Sequence, residues 1–135
     1  MVTDGGGYQP PVTHSDPGFI GLVGAPAPEA EDGEARLEVE VDERHLNPAG
    51  TVHGGMLATL VDTTMGAAVR SAADGEVPAT SQLTVTYLRP GKPGTLVVTA
   101  TVRKRGENLT VCEADVAQDG KSLVHALATF ALLGD

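Results

Sequence analysis

The sequence predicts an α+β fold in which a long central helix is wrapped by an antiparallel sheet of five strands, or of more if the segment before the first strand also pairs. The first observation is that residues 54–71 would be apolar on nearly every side of a helix, which is typical of a buried helix. The second is a succession of strand patterns joined by short turns after this helix, which indicates antiparallel pairing. One helix and one sheet bury their apolar surfaces together when the sheet wraps the helix.

The part of the chain before the helix contributes a lead-in, one strand and a loop. Residues 1–17 are rich in Gly and Pro and are expected to form a disordered tail, which leaves residues 18–135 as a single domain. The apolar island 19–23 predicts a short packed helical turn. Apolar and acidic side chains alternate strictly over residues 34–42, which indicates a half-exposed strand, and a polar loop over residues 43–52 leads into the helix.

The part of the chain after the helix is predicted to be all strand. Asp74 and Gly75 form a turn that ends the helix. The four strands are predicted over residues 80–88, 95–103, 109–118 and 122–133. Because short turns separate them, we expect a meander in which each strand pairs with the next.

Composition excludes several classes of protein. The net charge of −9 argues against general nucleic-acid binding, which requires a basic surface. No apolar run approaches ~18 residues, so we expect no membrane span. The single cysteine, Cys112, excludes an intramolecular disulfide and favours a reducing, cytoplasmic location. The four histidines do not lie at metal-ligand spacing, so no metal site is expected.

Asp62 is the candidate catalytic residue, because it is the only ionisable side chain between His53 and Arg70. Burying a carboxylate among apolar side chains costs several kcal/mol. Desolvation also raises the pKa of an aspartate towards that of a useful general base. The alternative is a structural aspartate that is satisfied by Thr63, Thr64 or a neighbouring strand.

The start of the helix is the second candidate feature. Gly54 and Gly55 follow His53 at the positive end of the helix, where backbone N–H groups lack internal acceptors. Such an end can bind an oxyanion that develops during acyl transfer. The alternative is an ordinary flexible lead into a helix, with His53 as its cap.

The spacing of these two features predicts a site shared between subunits. Gly55 and Asp62 share a helix face but lie ~10 Å apart along the axis, which is too far to act on one carbonyl. In a two-fold dimer with antiparallel helices, Asp62 of one chain would approach Gly54 and Gly55 of the other. We therefore expect two sites per dimer, each at the interface.

Two segments resemble a known family. Residues 47–55, with the sequence Asn-Pro-Ala-Gly-Thr-Val-His-Gly-Gly, are followed by Asp62 seven residues after the second glycine. This pattern resembles the signature of hotdog-fold acyl-CoA thioesterases, and is most similar to their phenylacetate-pathway (PaaI-like) group. The resemblance continues through residues 79–90 and extends over roughly residues 18–134.

The resemblance implies a reaction and a role for each matching residue. The family hydrolyses a small or medium acyl-CoA, aryl or aliphatic, to the free acid and CoA, with no cofactor besides the CoA of the substrate. Asp62 would act as general base or as nucleophile, and the backbone N–H of Gly54, next to Gly55, would donate to the oxyanion. His53 would hold the thioester end of the site, and Asn47 would orient water or the carbonyl.

The resemblance also implies a strand hydroxyl and an assembly. The hydroxyl falls on Thr80, with Ser81 as a one-residue alternative, although many relatives have Ser at this position. Asn47 and the helix start would come from one chain, and Asp62 and the hydroxyl from its partner. A homodimer, and beyond it a homotetramer, is expected.

The phosphates of CoA require basic groups in this acidic protein. Arg103, Lys104 and Arg105 form the densest basic cluster, and Arg89 follows another strand end with Lys92 nearby. These side chains would bind phosphates through charge and, for arginine, paired hydrogen bonds. The alternative is that they keep a turn soluble and protect a sheet edge.

Two other functions use the same fold. One is a non-catalytic acyl-CoA-binding module, against which a buried Asp62 argues because binding alone requires no base. The other is a hydratase or dehydratase, which uses a histidine with a carboxylate. His53 lies nine residues from Asp62 at the helix start, and does not match that arrangement.

Overall fold

The computed structural model describes residues 18–133, so the tail predicted over residues 1–17 lies outside the described residues. The elements in chain order are helix α1 (Phe19–Leu22), strands β1 (Glu29–Glu31) and β2 (Glu34–Val41), a 3-10 turn (Glu43–His45), helix α2 (Gly54–Ala72), and strands β3 (Val77–Tyr87), β4 (Gly94–Arg105), β5 (Leu109–Gln118) and β6 (Lys121–Leu133). The predicted helix and all five predicted strands are present, with ends that differ by up to three residues.

All described strands form one antiparallel sheet of six strands in the order β1-β2-β4-β5-β6-β3. Helix α2 packs against this sheet and contacts every one of its strands. The lead-in supplies the sixth strand, β1, which pairs with β2 through Glu29 opposite Arg36. The predicted arrangement, a long helix wrapped by a sheet of five or more antiparallel strands, is confirmed.

The prediction of a continuous meander is wrong between β3 and β4. Strand β3 pairs with β6, whereas β4 pairs with β2 and β5. The connection over residues 88–93 contains two prolines, which lack the N–H that a hairpin ladder requires. The N–H groups of Leu88 and Arg89 both donate to the carbonyl of Leu123 on β6. The connection therefore crosses the end of the sheet and leaves β3 as an edge strand.

One side of α2 forms the core with the inner face of the sheet. Its buried residues are Met56, Leu57, Leu60, Val61, Thr64, Met65, Ala68 and Val69. The opposite side, which includes Ala58, Thr59, Asp62, Thr63 and Ala67, is only half-buried. The expectation of a helix buried on every side is thus wrong for the single chain, because the sheet covers one side only.

The buried side chain of His45 connects the segment before β1, at Val23, to the loop before α2. The N–H of Asp42 donates to Nδ1 of His45 over 2.9 Å, so the neutral ring carries its proton on Nε2. Nε2 lies 2.7 Å from the carbonyl oxygen of Val23, to which it donates. The side chain of Asp42 caps the same 3-10 turn, and its hydrogen bond from the Arg44 side chain is the main cause that lowers the pKa of Asp42.

Within residues 18–133, no helix combines the length and the hydropathy that a bilayer crossing requires. Cys112 on β5 is fully buried, and burial raises the pKa of its thiol to about 12.

The first prediction concerns Thr110, whose buried Oγ1 has no hydrogen-bond partner in the described part of the chain. Thr110→Val removes a desolvated polar atom at nearly constant volume, so we expect the free energy of unfolding to rise by about 1 kcal/mol in urea titrations. Thr64→Val is the matched control, because Thr64 is equally buried but donates to the carbonyl of Leu60. The free energy of unfolding should therefore change differently in the two variants. Equal changes would contradict the absence of a hydrogen-bond partner at Thr110.

The second prediction concerns the pH dependence of stability. As pH rises from 9.0 towards about 12, an unfolded chain loses the Cys112 proton while the folded chain keeps it. The unfolded state then binds fewer protons, so the free energy of unfolding falls with rising pH. Denaturant titrations across this range should give a steeper fall for the wild type than for Cys112→Ala. Parallel profiles would refute the burial of an un-ionised thiol.

Candidate active site

The first glycine of α2 leaves its amide available to a ligand. His53 is the N-cap of the helix, and its Nδ1 accepts a hydrogen bond from the N–H of Gly55 over 2.8 Å. The N–H of Gly54 has no acceptor within residues 18–133. Because this N–H lies at the positive end of a helix of 19 residues, it can stabilise a negatively charged oxygen. The N–H of Gly55, the neighbouring residue that was predicted to bind substrate, already donates to His53.

His53 caps the helix, as predicted by the alternative interpretation of the helix start as an ordinary lead-in. Its Nδ1 accepts from the backbone, so Nε2 is the ring nitrogen left for a ligand. The ring is exposed, which keeps Nε2 accessible beside the helix start.

Tyr87, at the end of β3, is a residue of the site that the sequence did not reveal. Its hydroxyl donates to the carbonyl of Gly54 over 2.7 Å. A Cβ on residue 54 would lie 3.3 Å from the Tyr87 ring and hydroxyl oxygen, tighter than ordinary contact. Glycine at this position therefore permits the packing of β3 on the helix start.

Asn47 organises the loop that precedes α2. Its Oδ1 accepts from the N–H groups of Ala49 and Thr51, and its Nδ2 donates to Oγ1 of Thr51 over 2.9 Å. A side-chain amide has two N–H donors, so one remains for a ligand. Asn47, Gly54, Tyr87 and Arg89 line one surface depression of about 310 Å³.

Asp62 faces β3 from the middle of α2. The hydroxyl of Thr80 donates to Oδ1 of Asp62 over 2.6 Å, while Thr64 donates to the carbonyl of Leu60 instead. Asp62 is half-buried, so the expectation of a fully buried carboxylate is wrong for the single chain. Oδ1 has a fixed donor, and Oδ2 is left to accept a proton or to attack.

A β-bulge selects Thr80 rather than Ser81 as the partner of Asp62. The register of β3 on β6 shifts between Thr80 and Gln82, so Ser81 is the extra residue. Its hydroxyl donates to the carbonyl of Thr129 over 3.0 Å. Thr80 lies opposite the buried Phe130, on the face of the sheet that meets α2.

One chain therefore contains two separate half-sites. Gly54 with Tyr87 forms the first, and Asp62 with Thr80 forms the second. Gly54 and Asp62 are eight positions apart in the helix, which corresponds to about 12 Å along the axis.

Four of the five predicted basic residues differ in their surroundings. Arg103 pairs with Glu113 over 3.0 Å, and Arg105 lies 3.6 Å from Asp74 and 3.5 Å from Glu76. Lys104 makes no ion pair within the described residues. Arg89 donates to the carbonyl of Ser122 over 2.8 Å, and of the four it is the one that lines the depression beside Gly54.

No cluster of three or more His, Cys, Asp or Glu side chains suited to a metal ion occurs in residues 18–133.

Comparisons with known proteins identify the family of the chain. The family model of the thioesterase superfamily matches residues 49–125, which include the helix start and Asp62. Human acyl-coenzyme A thioesterase 13 is 36% identical over 88 residues, which are 64% of this chain and 63% of the human protein, so the chain matches less than two thirds of that relative.

Two solved structures are similar over most of both chains. The E. coli PaaI protein from the phenylacetic acid degradation operon has a TM-score of 0.79 at 28% identity, over 86% of this chain and 84% of its own. A Streptococcus mutans protein bound to acetyl CoA has a TM-score of 0.74 at 29% identity, over 79% of this chain and 86% of its own. The chain belongs to the thioesterase superfamily, and it has the hotdog fold of the PaaI-like group.

Proposed function

We propose that the chain hydrolyses the thioester of a small or medium acyl-CoA, aryl or aliphatic, to the free acid and CoA. The observation that carries the proposal is that α2 presents two complementary groups. The carboxylate of Asp62 accepts from the hydroxyl of Thr80, and the N–H of Gly54 has no acceptor within residues 18–133. The name of the human relative and the acetyl CoA bound to the S. mutans protein support CoA as the thiol component.

In the proposed reaction, Asp62 takes a proton from water as the water oxygen attacks the thioester carbon. The N–H of Gly54 donates to the carbonyl oxygen as it becomes an oxyanion. The C–S bond then breaks, and the CoA thiolate leaves and is protonated. Water is the only co-reactant, so the reaction requires no resident cofactor. If Asp62 is instead the nucleophile, the same carboxylate forms a mixed anhydride that water hydrolyses in a second step.

The two half-sites act together if two chains assemble around a two-fold axis. Strand β3 ends the sheet and lies beside the half-buried side of α2. A second copy at this edge would cover that side of α2, and would bring its own helix start towards Asp62. We therefore propose an obligate homodimer with two shared sites, in which Asn47, His53 and Gly54 of one chain face Asp62 and Thr80 of the partner. Pairing of two dimers would give a homotetramer.

Arg89 is the proposed phosphate contact. It lines the depression beside Gly54 and makes no ion pair within residues 18–133, whereas Arg103 and Arg105 have carboxylate partners. Lys104 is exposed and could add charge at longer range. A cytoplasmic location suits a CoA substrate and a single free thiol, Cys112.

The third prediction tests the carboxylate. Asp62→Asn keeps the shape of the side chain but removes its basicity, so kcat should fall by at least about 100-fold with little change in KM. The measurement is CoA release over a panel of acyl-CoAs, with a thiol reagent as readout. If the wild type binds several acyl-CoAs but releases no CoA, the protein is a binding module and the proposed function is wrong.

A mixture of two inactive variants tests the sharing of the site. Gly54→Val forces a side chain against Tyr87 and so displaces the helix-start amide of one chain, and Asp62→Asn removes the base of the other. Random reassembly after co-refolding gives hybrid dimers with one intact site, so about a quarter of the wild-type activity should return. Absence of recovery, with dimers present by light scattering, would place both groups in one chain.

The fourth prediction separates the two strand hydroxyls. Thr80→Val removes the donor to Asp62, so kcat should fall about 10-fold or more, while Thr80→Ser should keep most of the activity. Ser81→Ala is the matched control one residue away, because its hydroxyl bonds to the backbone of Thr129. A larger loss of kcat in Ser81→Ala than in Thr80→Val would reverse the assignment.

A further inference from the structure

The start of α2 is held by contacts with the preceding loop and with the sheet. In the loop, the N–H of His53 donates to the carbonyl of His45, and the N–H of Gly55 donates to Nδ1 of His53, each over 2.8 Å. From the sheet, the hydroxyl of Tyr87 donates to the carbonyl of Gly54 over 2.7 Å. Within residues 18–133, these contacts leave the N–H of Gly54 as the one amide of residues 53–57 without an acceptor.

The Tyr87 contact restrains a turn that has little rigidity of its own. Helix ends fray, and glycine has more backbone freedom than any other residue, so two glycines make a weak first turn. The carbonyl of Gly54 has a second lone pair beyond the one used within the helix, and it accepts the Tyr87 hydroxyl there. The ring also lies against the α-carbon of Gly54, since an added Cβ would be 3.3 Å from it. Strand β3 therefore restrains the residue whose N–H is free.

The action of an oxyanion donor depends on such restraint. A backbone N–H stabilises the developing charge best when it already points at the position of the oxyanion, because reorientation during the reaction offsets part of the gain. A mobile N–H can still contact the carbonyl of a bound thioester. Loss of the restraint should therefore lower kcat and leave KM unchanged.

We propose that Tyr87 is a positioning residue, whose hydroxyl holds the first turn of α2 so that the N–H of Gly54 is fixed towards the oxyanion. This inference rests on the proposed function, and adds to it a residue that acts through Gly54. The hydrogen bond contributes little to the stability of the fold, because Tyr87 is 50% exposed and water can replace its hydroxyl. Water, however, does not connect the helix start to β3.

The experiment removes the hydroxyl and keeps the ring. In Tyr87→Phe, kcat for CoA release should fall about 10-fold, less than the roughly 100-fold or more that loss of an oxyanion donor itself costs. KM should be unchanged, and the midpoint of thermal unfolding should change little. Tyr87→para-aminophenylalanine places an N–H donor on the same ring, and should restore most of kcat.

Hydrogen exchange at the helix start gives a readout that does not depend on activity. The N–H of Met56 donates to the carbonyl of His53 over 2.9 Å, so its exchange rate reports the fraying of this turn. The rate should rise in Tyr87→Phe. The amide of Leu60, which is fully buried in the middle of α2, should exchange as in the wild type.

Thr86→Val is the matched control, because it removes a hydroxyl from the preceding residue of β3. Thr86 is exposed and lies opposite His125. Successive side chains of a strand point to opposite faces, so Thr86 faces away from α2. Its kcat, and the exchange rate at Met56, should equal those of the wild type.

The outcomes separate this inference from the proposed function. A lower kcat at unchanged KM in Tyr87→Phe, with faster exchange at Met56 and recovery by para-aminophenylalanine, supports the inference. An unchanged kcat, a rise in KM alone, a lower kcat without faster exchange, or an equal loss in Thr86→Val overturns it, while CoA release by the wild type leaves the proposed function intact. A wild type that releases no CoA from any acyl-CoA would reject the proposed function and this inference with it.

Discussion

The rigidity of α2 constrains everything else in the candidate site. Because an α-helix rises about 1.5 Å per residue, Gly54 and Asp62 remain about 12 Å apart in any arrangement of the surrounding chain. Strand β3 runs along the same helix and fixes both positions, through Tyr87 at the carbonyl of Gly54 and Thr80 at the carboxylate of Asp62. One helix and one strand thus position both halves of the chemistry and keep them from meeting within one chain.

Because of this separation, the free-energy cost of burying the Asp62 carboxylate is divided between folding of the chain and formation of the proposed dimer. In the single chain, Asp62 is half-exposed and has one hydroxyl donor, so the fold forms without enclosing an ionised group. In the dimer that we propose, the partner would remove water from the same carboxylate, and part of the interface free energy would offset that desolvation. The base would become desolvated only where an oxyanion donor is also supplied.

Local patterns predicted much of the molecule. The alternation of residues 34–42 and the apolar run of residues 54–71 are set by which side chains face the core, and the structure confirms both elements. Asp62 and Gly54 could be singled out because an ionisable side chain in an apolar helix and a pair of glycines at a helix start are both visible in the sequence. Their contacts with β3 could not be predicted in this way.

The parts that the sequence did not predict depend on the pairing of distant strands. The periodicity of residues 80–88 predicts a strand, but it does not predict which strand pairs with it. The pairing of β3 with β6 was therefore missed, and the meander was predicted wrongly. The choice between Thr80 and Ser81 depends on a bulge, which shifts the register without leaving a composition signal. Tyr87 enters the site for the same reason, since only the observed packing of β3 on α2 brings it to Gly54.

The crossing from β3 to β4, which the sequence did not predict, supports both the proposed dimer and the proposed phosphate contact. A β3–β4 hairpin would have buried the edge of β3 under β4, and a second chain could then not reach the exposed side of α2. Instead, residues 88–93 cross the end of the sheet, and Gly91 fits tightly between Val52 and Leu123 while its carbonyl accepts from the N–H of Val52. That contact joins the crossing to the helix-start loop, and so brings Arg89 beside Gly54. One connection thereby leaves the edge of β3 open for the dimer that we propose, and positions the proposed phosphate contact beside the proposed oxyanion donor.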